Sequence, residues 1–232
     1  MNSCPKCGAE FPHAIRICPN DGTVLEEQVK TDARLGTTLD GKYKLESALG
    51  QGGMGTIYRA THLMLDKPVA LKLINAELVS SPDIIRRFQR EARAASNLNH
   101  PNIAAAYDLG QTSDGTLYIA MELVNGPSLK DVIRSTGPLH SARIGRILRQ
   151  VASALAVAHR HNIIHRDLKP HNIMLATTAA GGEVAKLLDF GIAKTFDDAQ
   201  TQLTATGFVL GTPQYMSPEQ AAGRPIDGRS DL

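Results

Sequence analysis

Two short segments in the middle of the chain carry side chains suited to phosphate and metal chemistry. The first is His165-Arg166-Asp167-Leu168-Lys169-Pro170-His171-Asn172, and Asp189-Phe190-Gly191 begins seventeen residues after it. Carboxylate and amide oxygens are the ligands that hard cations such as Mg²⁺ prefer, and a lysine beside them can offset the charge of a phosphate. One such aspartate alone would be a turn residue or a surface charge. The complete set in this order favours phosphoryl transfer from Mg·ATP.

These segments resemble the H-R-D-L-K-P-x-N and D-F-G motifs of the protein kinase family, and the lysine two residues after Asp167 is similar to that of the serine/threonine branch. The resemblance implies that Asp167 accepts or orients the proton of a substrate hydroxyl, and that Lys169 lies near the γ-phosphate. It also implies that Asn172 and Asp189 hold Mg²⁺, so that ATP and Mg²⁺ are the expected cofactors.

A glycine-rich stretch lies upstream, at Gly50-Gln51-Gly52-Gly53-Met54-Gly55-Thr56-Ile57. It matches the kinase pattern G-x-G-x-x-G-x-V with Ile57 in place of valine. Segments 43–49 and 56–60 on either side are predicted to form a β-hairpin, and glycines let a backbone approach phosphates without an intervening Cβ. A dinucleotide-binding fold would need a helix directly after the glycines. An alternating strand follows instead, and this interpretation is rejected.

The next two motifs resemble the lysine strand and the following helix of kinases. Val69-Ala70-Leu71-Lys72 matches the strand whose lysine contacts the α- and β-phosphates. Ser81-Pro82-Asp83 predicts a helix start, because serine can cap, proline suits the first turn and aspartate favours the positive end of the helix dipole. The helix is expected to run towards Ser96. Within it, Glu91 resembles the glutamate that pairs with Lys72; without that lysine, an exposed i,i+4 pair would be the default interpretation.

Residues 117–126 predict a strand that ends in a hinge. By resemblance, Met121 is the gatekeeper, and backbone groups of Glu122 and Val124 hydrogen-bond the adenine of ATP. The apolar residues expected to sandwich the ring, which are otherwise ordinary core residues, are Leu49, Ile57, Ala70, Met174 and Leu188. The remaining residues of the expected ATP site are Gly50, Gly52, Gly53, Gly55 and Lys72.

Residues 141–161 predict a helix that leads into the His165 loop. Its apolar residues at helical spacing are Ile144, Ile147, Leu148, Val151, Leu155 and Ala158. A strand-rich half therefore precedes a helical half, an α+β arrangement that matches the two-lobed protein kinase fold with ATP between the lobes. The resemblance covers residues 43–232.

The stretch after Gly191 is polar and rich in threonine, and its end resembles the A-P-E block of kinases. Residues 211–220 carry Ser217-Pro218-Glu219 in place of A-P-E, and Thr212 is expected beside the catalytic aspartate. Thr204 and Thr206 lie where bacterial relatives autophosphorylate, and phosphates there could pair with a basic side chain. The alternative for these threonines is a solvated loop.

All three cysteines fall in the first eighteen residues. Cys4-Pro5-Lys6-Cys7-Gly8 and Cys18-Pro19-Asn20-Asp21-Gly22 resemble the two knuckles of a small zinc ribbon, with Asp21 in place of the fourth cysteine. Zn²⁺ bound by Cys4, Cys7, Cys18 and Asp21 is the prediction, and a protein-interaction or regulatory appendage is the expected role. The alternatives are His13 as fourth ligand, a disulfide with one cysteine left over, and a metal-free remnant.

Length and composition limit the remaining choices. The 232 residues allow a large and a small domain, and the expected order is a zinc-ribbon-like module at 1–27, a linker at 28–42 and a kinase domain at 43–232. Lys+Arg 25 against Asp+Glu 23 is nearly neutral, so nucleic acid is not an expected partner. There is neither an apolar run of about 18 residues nor a signal-peptide pattern. These absences predict no membrane segment here and a bacterial cytoplasmic location.

The last residues, 227–232, resemble the start of the central helix of a kinase C-lobe. In that family Asp231 would brace the backbone of the His165-Arg166 loop, while the arginine partner of Glu219 would come later. We therefore expect a kinase domain that is truncated at its C-terminus and inactive by itself, from a longer gene product. The sequence does not predict whether that product has a membrane anchor beyond Leu232. Glu219 is expected to lack a partner.

Three functions are compatible with these motifs. A serine/threonine protein kinase that acts on protein substrates, with self-association for trans-autophosphorylation, is favoured. A pseudokinase scaffold is the alternative, and the intact residues Lys72, Glu91, Asp167, Asn172 and Asp189 argue against it. A small-molecule kinase is disfavoured by the Ser217-Pro218-Glu219 block, which in the family serves protein substrates.

Overall fold

The computed structural model of the chain describes residues 2–4, 6–7, 9–11, 17–23, 26–27, 32–79, 81–178, 180–190 and 213–232. The chain divides into two compact units, residues 1–35 and residues 36–232. In the smaller unit, strand β1 (Asn2–Ser3) pairs antiparallel with both β2 (Glu10–Phe11) and β3 (Glu26–Glu27). None of the helices within the described ranges combines the length and the apolar character needed to span a bilayer.

The first half of the larger unit is an antiparallel sheet of six strands. They are β4 (Thr38–Leu39), β5 (Tyr43–Gly52), β6 (Gly55–His62), β7 (Lys67–Ile74), β8 (Ala106–Gln111) and β9 (Leu117–Glu122), in the order β4-β5-β6-β7-β9-β8. The predicted hairpin around the glycines is confirmed as β5 and β6. Strand β4, within the stretch predicted as linker, pairs with the start of β5.

Helix α1 (Pro82–Ser96) packs its apolar face against this sheet. Its first turn is capped by Ser81, whose hydroxyl oxygen accepts a hydrogen bond from the Ile84 N–H at 3.4 Å. Phe88 is fully buried among residues of β7 and β9. The predicted helix start is therefore confirmed.

The second half contains α2 (Leu129–Thr136), α3 (Ser141–Arg160), the antiparallel pair β10 (Ile173–Thr177) and β11 (Glu183–Leu187), and α4 (Pro218–Ala221). Helix α3 confirms the prediction at 141–161, and its residues Ile147, Val151, Leu155 and Ala158 are buried. Ile144 and Leu148 of the same apolar series are 41% and 57% exposed. Helical spacing predicted the helix correctly, but it did not predict which of its apolar side chains are buried within the described part of the chain.

A network of hydrogen bonds around Asn102 joins the two halves of the larger unit. The Asn102 side chain donates hydrogen bonds to Gln150 Oε1 and to the Ala185 carbonyl, each at 2.8 Å. The Ala185 N–H donates to the same Gln150 oxygen at 2.9 Å. Because Asn102 is buried, these bonds satisfy groups that would otherwise be costly to bury. They fasten the segment before β8 to α3 and β11.

Candidate active site

The glycine-rich turn joins β5 to β6, and its glycines differ in what they contact. Gly52 pairs with Gly55, so Gly53 and Met54 form a two-residue turn. At Gly55, where φ is +151°, a Cβ atom would lie 1.8 Å from the Leu73 carbonyl oxygen. At Gly50, Gly52 and Gly53 a Cβ would meet nothing within 4 Å. Packing on β7 therefore requires glycine only at Gly55. Open space at the other three is compatible with a ligand that approaches the backbone.

Lys72 on β7 forms an ion pair with Asp189 of the D-F-G motif. The Lys72 ammonium lies 2.9 Å from Asp189 Oδ2, and the two side chains are 10% and 18% exposed. Burial alone would raise the pKa of Asp189, but the ammonium outweighs burial and lowers that pKa below its ordinary value. Glu91 is half-buried on α1, and its pairing with Lys72 stays a prediction.

The catalytic-loop residues predicted from the sequence contact one another around Asp167. The Lys169 ammonium lies 2.8 Å from Asp167 Oδ2. The Asn172 side-chain nitrogen donates to Asp167 Oδ2 at 2.9 Å and to the Asp167 carbonyl at 2.8 Å. Because both bonds use the amide nitrogen, the amide oxygen of Asn172 is the atom left to bind a cation.

The buried carboxylate of Asp231 holds the backbone of the loop that carries Asp167. Asp231 accepts hydrogen bonds from the backbone N–H groups of His165 and Arg166, both at 2.8 Å, and its Oδ2 lies 2.7 Å from His159 Nε2. Arg166 has a φ of 68°, a left-handed conformation that is unfavourable for a large side chain. The predicted bracing of this loop by Asp231 is confirmed.

His165 links the catalytic loop to the D-F-G motif. Its Nε2 lies 2.7 Å from the Leu188 carbonyl, and its Nδ1 accepts the Asp167 N–H at 3.3 Å. Burial lowers the pKa of His165, so the neutral ring with its proton on Nε2 fits both contacts. The ring also packs edge-on against Phe190, with centroids 5.0 Å apart.

The hinge follows β9. Met121 is buried, the Glu122 N–H donates to the Ala105 carbonyl at 2.8 Å, and the Glu122 carboxylate pairs with Lys186 at 2.8 Å. These contacts fix Glu122 at the point where the chain leaves the sheet. Among the predicted adenine-site residues, Ala70 and Met121 are buried, and Leu49 is 52% exposed. The half-buried ones are Ile57, Val124, Met174 and Leu188.

Two residues of α4, Glu219 and Gln220, make contacts that the sequence did not predict. Glu219 was expected to lack a partner, but it accepts a hydrogen bond from the Ser230 hydroxyl, which lowers its pKa. Gln220 donates from its side chain to the Arg166 carbonyl at 2.7 Å. The capping pattern Ser217-x-x-Gln220 was the available signal, but it does not indicate this second contact. Gly191, Thr204, Thr206 and Thr212 lie outside the described residues.

A separate cluster lies in the smaller unit. One ligand atom from each of Cys4, Cys7, Cys18 and Asp21 lies within 4.8 Å of the others. Cys7 Sγ and Cys18 Sγ are 3.6 Å apart, and Cys4 Sγ is 3.2 Å from Asp21 Oδ2. All three cysteines are free thiols. Hydrogen bonds from Thr23 hold the pKa of Asp21 well below its usual range. His13, the alternative ligand, is not among the described residues.

Comparisons with known proteins agree with this geometry. Residues 43–232 match the family described as Protein kinase domain. Serine/threonine-protein kinase pkn3 of Myxococcus xanthus is 50% identical over 204 residues, which cover 87% of this chain and 37% of that protein. PknB of Mycobacterium tuberculosis is 43% identical over 194 residues, covering 82% of this chain and 30% of that protein. The chain thus spans about a third of the length of these relatives.

The fold is similar as well. The crystal structure of the Mycobacterium tuberculosis PknI kinase domain superposes with a TM-score of 0.66 at 32% identity, covering 84% of this chain and 71% of that chain. Together with the family match over residues 43–232, this similarity confirms the predicted kinase fold for the larger unit. The chain therefore belongs to the protein kinase family, as a bacterial Hanks-type serine/threonine kinase domain.

Proposed function

We propose that the protein transfers the γ-phosphate of ATP to serine and threonine hydroxyls of protein substrates. The observation that carries this proposal is the convergence of distant motifs on one site. The Lys72 ammonium lies 2.9 Å from Asp189, which is 117 positions away, and His165 of the catalytic loop lies 2.7 Å from the Leu188 carbonyl just before Asp189. The pseudokinase alternative is not favoured, because the relatives are named as serine/threonine-protein kinases and each polar motif residue is present.

The residues present fit Mg·ATP. Asn172 and Asp189 would hold Mg²⁺, since both offer hard oxygen ligands. The metal, when bound, would neutralise charge on the transferred phosphoryl group. Lys72 would contact the α- and β-phosphates while staying beside Asp189. Lys169 would lie near the γ-phosphate.

Asp167 is the residue of this chain that would accept or orient the proton of the substrate hydroxyl. Its carboxylate is half-buried and is held between the Lys169 ammonium and the Asn172 amide. A general base must be held in a fixed position when transfer depends on alignment. The contacts around Asp167 supply that fixed position before any substrate binds.

The test is ATP-dependent phosphorylation of Ser/Thr peptides by the full-length gene product, read by mass spectrometry. Wild-type protein should transfer phosphate, and the Asp167→Asn variant should bind Mg·ATP but transfer almost none. Nucleotide binding by wild-type protein without any transfer would support the scaffold alternative. Transfer to small-molecule alcohols alone would contradict a protein substrate.

Regulation by phosphorylation of the segment before α4 is part of this proposal. We propose autophosphorylation at Thr204 or Thr206, between two copies of the protein in the bacterial cytoplasm. The support is the Thr-rich sequence together with Arg166, a basic residue next to Asp167. Mixing wild-type protein with a size-tagged Asp167→Asn variant tests it, because phosphate on the inactive copy can come only from transfer between molecules.

We further propose that the smaller unit is a zinc-ribbon-like module that binds one Zn²⁺ and serves protein interaction or regulation. Sulfur and oxygen ligands at about 2.0–2.3 Å from tetrahedral Zn²⁺ lie some 3.3–3.8 Å from one another, and the Cys7–Cys18 and Cys4–Asp21 contacts of 3.6 and 3.2 Å are close to that spacing. Each knuckle also contains an equivalent backbone hydrogen bond. In the first, the Cys4 N–H donates to the Ala9 carbonyl, and in the second, the Cys18 N–H donates to the Thr23 carbonyl.

Elemental analysis of protein purified without chelator tests the zinc proposal. We expect one zinc per chain in wild-type protein and none in Cys4→Ser. Asp21→Cys should bind zinc more tightly in competition with a chromogenic chelator, because it completes a four-thiolate site. Zinc-free wild-type protein would identify the module as a metal-free remnant.

A further inference from the structure

Gln220 of α4 contacts the catalytic loop directly. Its side-chain nitrogen lies 2.7 Å from the carbonyl oxygen of Arg166, the residue immediately before Asp167. The two residues are 54 positions apart in the chain. The contact joins the end of the segment that follows the D-F-G motif to the backbone that carries the proposed base.

The orientation of the Gln220 amide is determined by its other contact. Its side-chain oxygen accepts the Ser217 N–H at 3.0 Å, while the Gln220 N–H donates to the Ser217 hydroxyl at 3.3 Å. A backbone N–H can only donate, so the atom facing Ser217 must be the amide oxygen. The amide nitrogen therefore faces Arg166, where a carbonyl oxygen can only accept. One side chain thus caps α4 and also binds the catalytic loop.

The peptide group that joins Arg166 to Asp167 is held at both ends. Its carbonyl accepts from Gln220 at 2.7 Å, and its N–H, which belongs to Asp167, donates to His165 Nδ1 at 3.3 Å. The preceding peptide group donates to Asp231. Arg166 itself has a φ of 68°, an unfavourable conformation that neighbouring contacts must maintain.

We propose that Gln220 is a positioning residue for phosphoryl transfer: its amide nitrogen fixes the Arg166–Asp167 peptide plane and thereby the direction of the Asp167 side chain. The proposal rests on the proposed kinase function. Any change that moves α4 would release this carbonyl and so act on the proposed base. A small rotation of that peptide plane would misalign Asp167 without unfolding the site.

The variant Gln220→Glu separates positioning from capping. Glutamate keeps an oxygen acceptor for the Ser217 N–H and is a favoured residue at this position of a capping box. It loses the donor to Arg166 and places a carboxylate oxygen against the carbonyl. Gln111→Glu is a matched control, because the Gln111 side chain also donates to a backbone carbonyl, that of Gly115 at 3.1 Å, in an exposed turn after β8.

In the full-length gene product, Gln220→Glu should lower kcat roughly tenfold, the factor that corresponds to one lost hydrogen bond of ordinary strength. The KM for ATP should stay within the range of the Gln111→Glu control, and the melting temperature should fall by no more than about 2–4 °C. Gln220→Met, which loses both contacts, should show the same fall in kcat together with a lower melting temperature.

A Gln220→Glu variant with wild-type kcat would overturn the proposal and leave Gln220 as a helix cap only. An equal loss of kcat in the Gln111→Glu control would overturn it too. Hydrogen exchange gives a readout that does not depend on activity: the Asp167 amide should exchange faster in Gln220→Glu than in wild-type protein, and unchanged exchange would contradict the proposal. Absence of transfer by wild-type protein would refute the proposed function instead, and the exchange result would then decide this inference.

Discussion

Replacement of Asp231 by asparagine should strongly destabilise the larger unit. The carboxylate is buried and is in contact with two backbone N–H groups and the His159 ring. Asparagine keeps one acceptor oxygen and turns an NH₂ group towards one of these donors. At least one buried donor then loses its acceptor.

The magnitude follows from these contacts. Loss of a hydrogen bond to a charged acceptor, with a buried donor left unsatisfied, costs roughly 2–4 kcal/mol of unfolding free energy. For a domain of this size each kcal/mol lowers the melting temperature by about 2–4 °C, so a fall of roughly 4–16 °C is expected. Because the donor that loses its acceptor is the backbone N–H of His165 or of Arg166, the variant should also lose most phosphoryl transfer.

Scanning calorimetry of the purified chain measures this effect, with Asp227→Asn as the control. The Asp227 side chain is 56% exposed and caps the following turn by accepting the Arg229 N–H at 2.9 Å, a contact that asparagine can keep. The control should melt within about 2 °C of wild-type protein. Equal melting temperatures for Asp231→Asn and the control would refute the argument that this carboxylate holds the loop.

Three further perturbations test other parts of the site. Asp167→Asn should lower kcat by about 10²–10⁴-fold with little change in Mg·ATP affinity measured by calorimetry; near wild-type turnover would contradict its role. Lys72→Met should abolish transfer. Since Lys72 lowers the pKa of Asp189, the stability lost in this variant should be largest near pH 7 and should shrink as the pH falls below about 4, a trend that urea unfolding would reveal or exclude. Gly55→Ala should cost roughly 2–4 kcal/mol, because the added Cβ meets the β7 backbone at a positive φ. Gly53→Ala should hardly change stability but should weaken ATP binding. Equal melting temperatures for Gly55→Ala and Gly53→Ala would contradict the argument that packing requires glycine at Gly55 and not at Gly53.

Local chemistry in the sequence determined the elements of the kinase domain. Ser81 and Pro82 predicted the start of α1, because capping and the first-turn preference of proline depend only on neighbouring residues. The glycine-rich turn predicted the β5–β6 hairpin for a similar reason. The motifs around Asp167 and Asp189 indicated phosphoryl transfer because their residue types and spacing match one chemistry.

Tertiary structure decided which of these residues touch. Lys72 and Asp189 are 117 positions apart, Asp231 and His165 are 66 apart, and Gln220 and Arg166 are 54 apart. A capping pattern predicts the bond that Gln220 makes to Ser217 but not the partner of its other amide atom. Local sequence patterns likewise did not predict the exposure of Leu148 or the contact between Ser230 and Glu219. The physical reason is that a side chain's second contact depends on which element packs opposite it, and that depends on the whole fold.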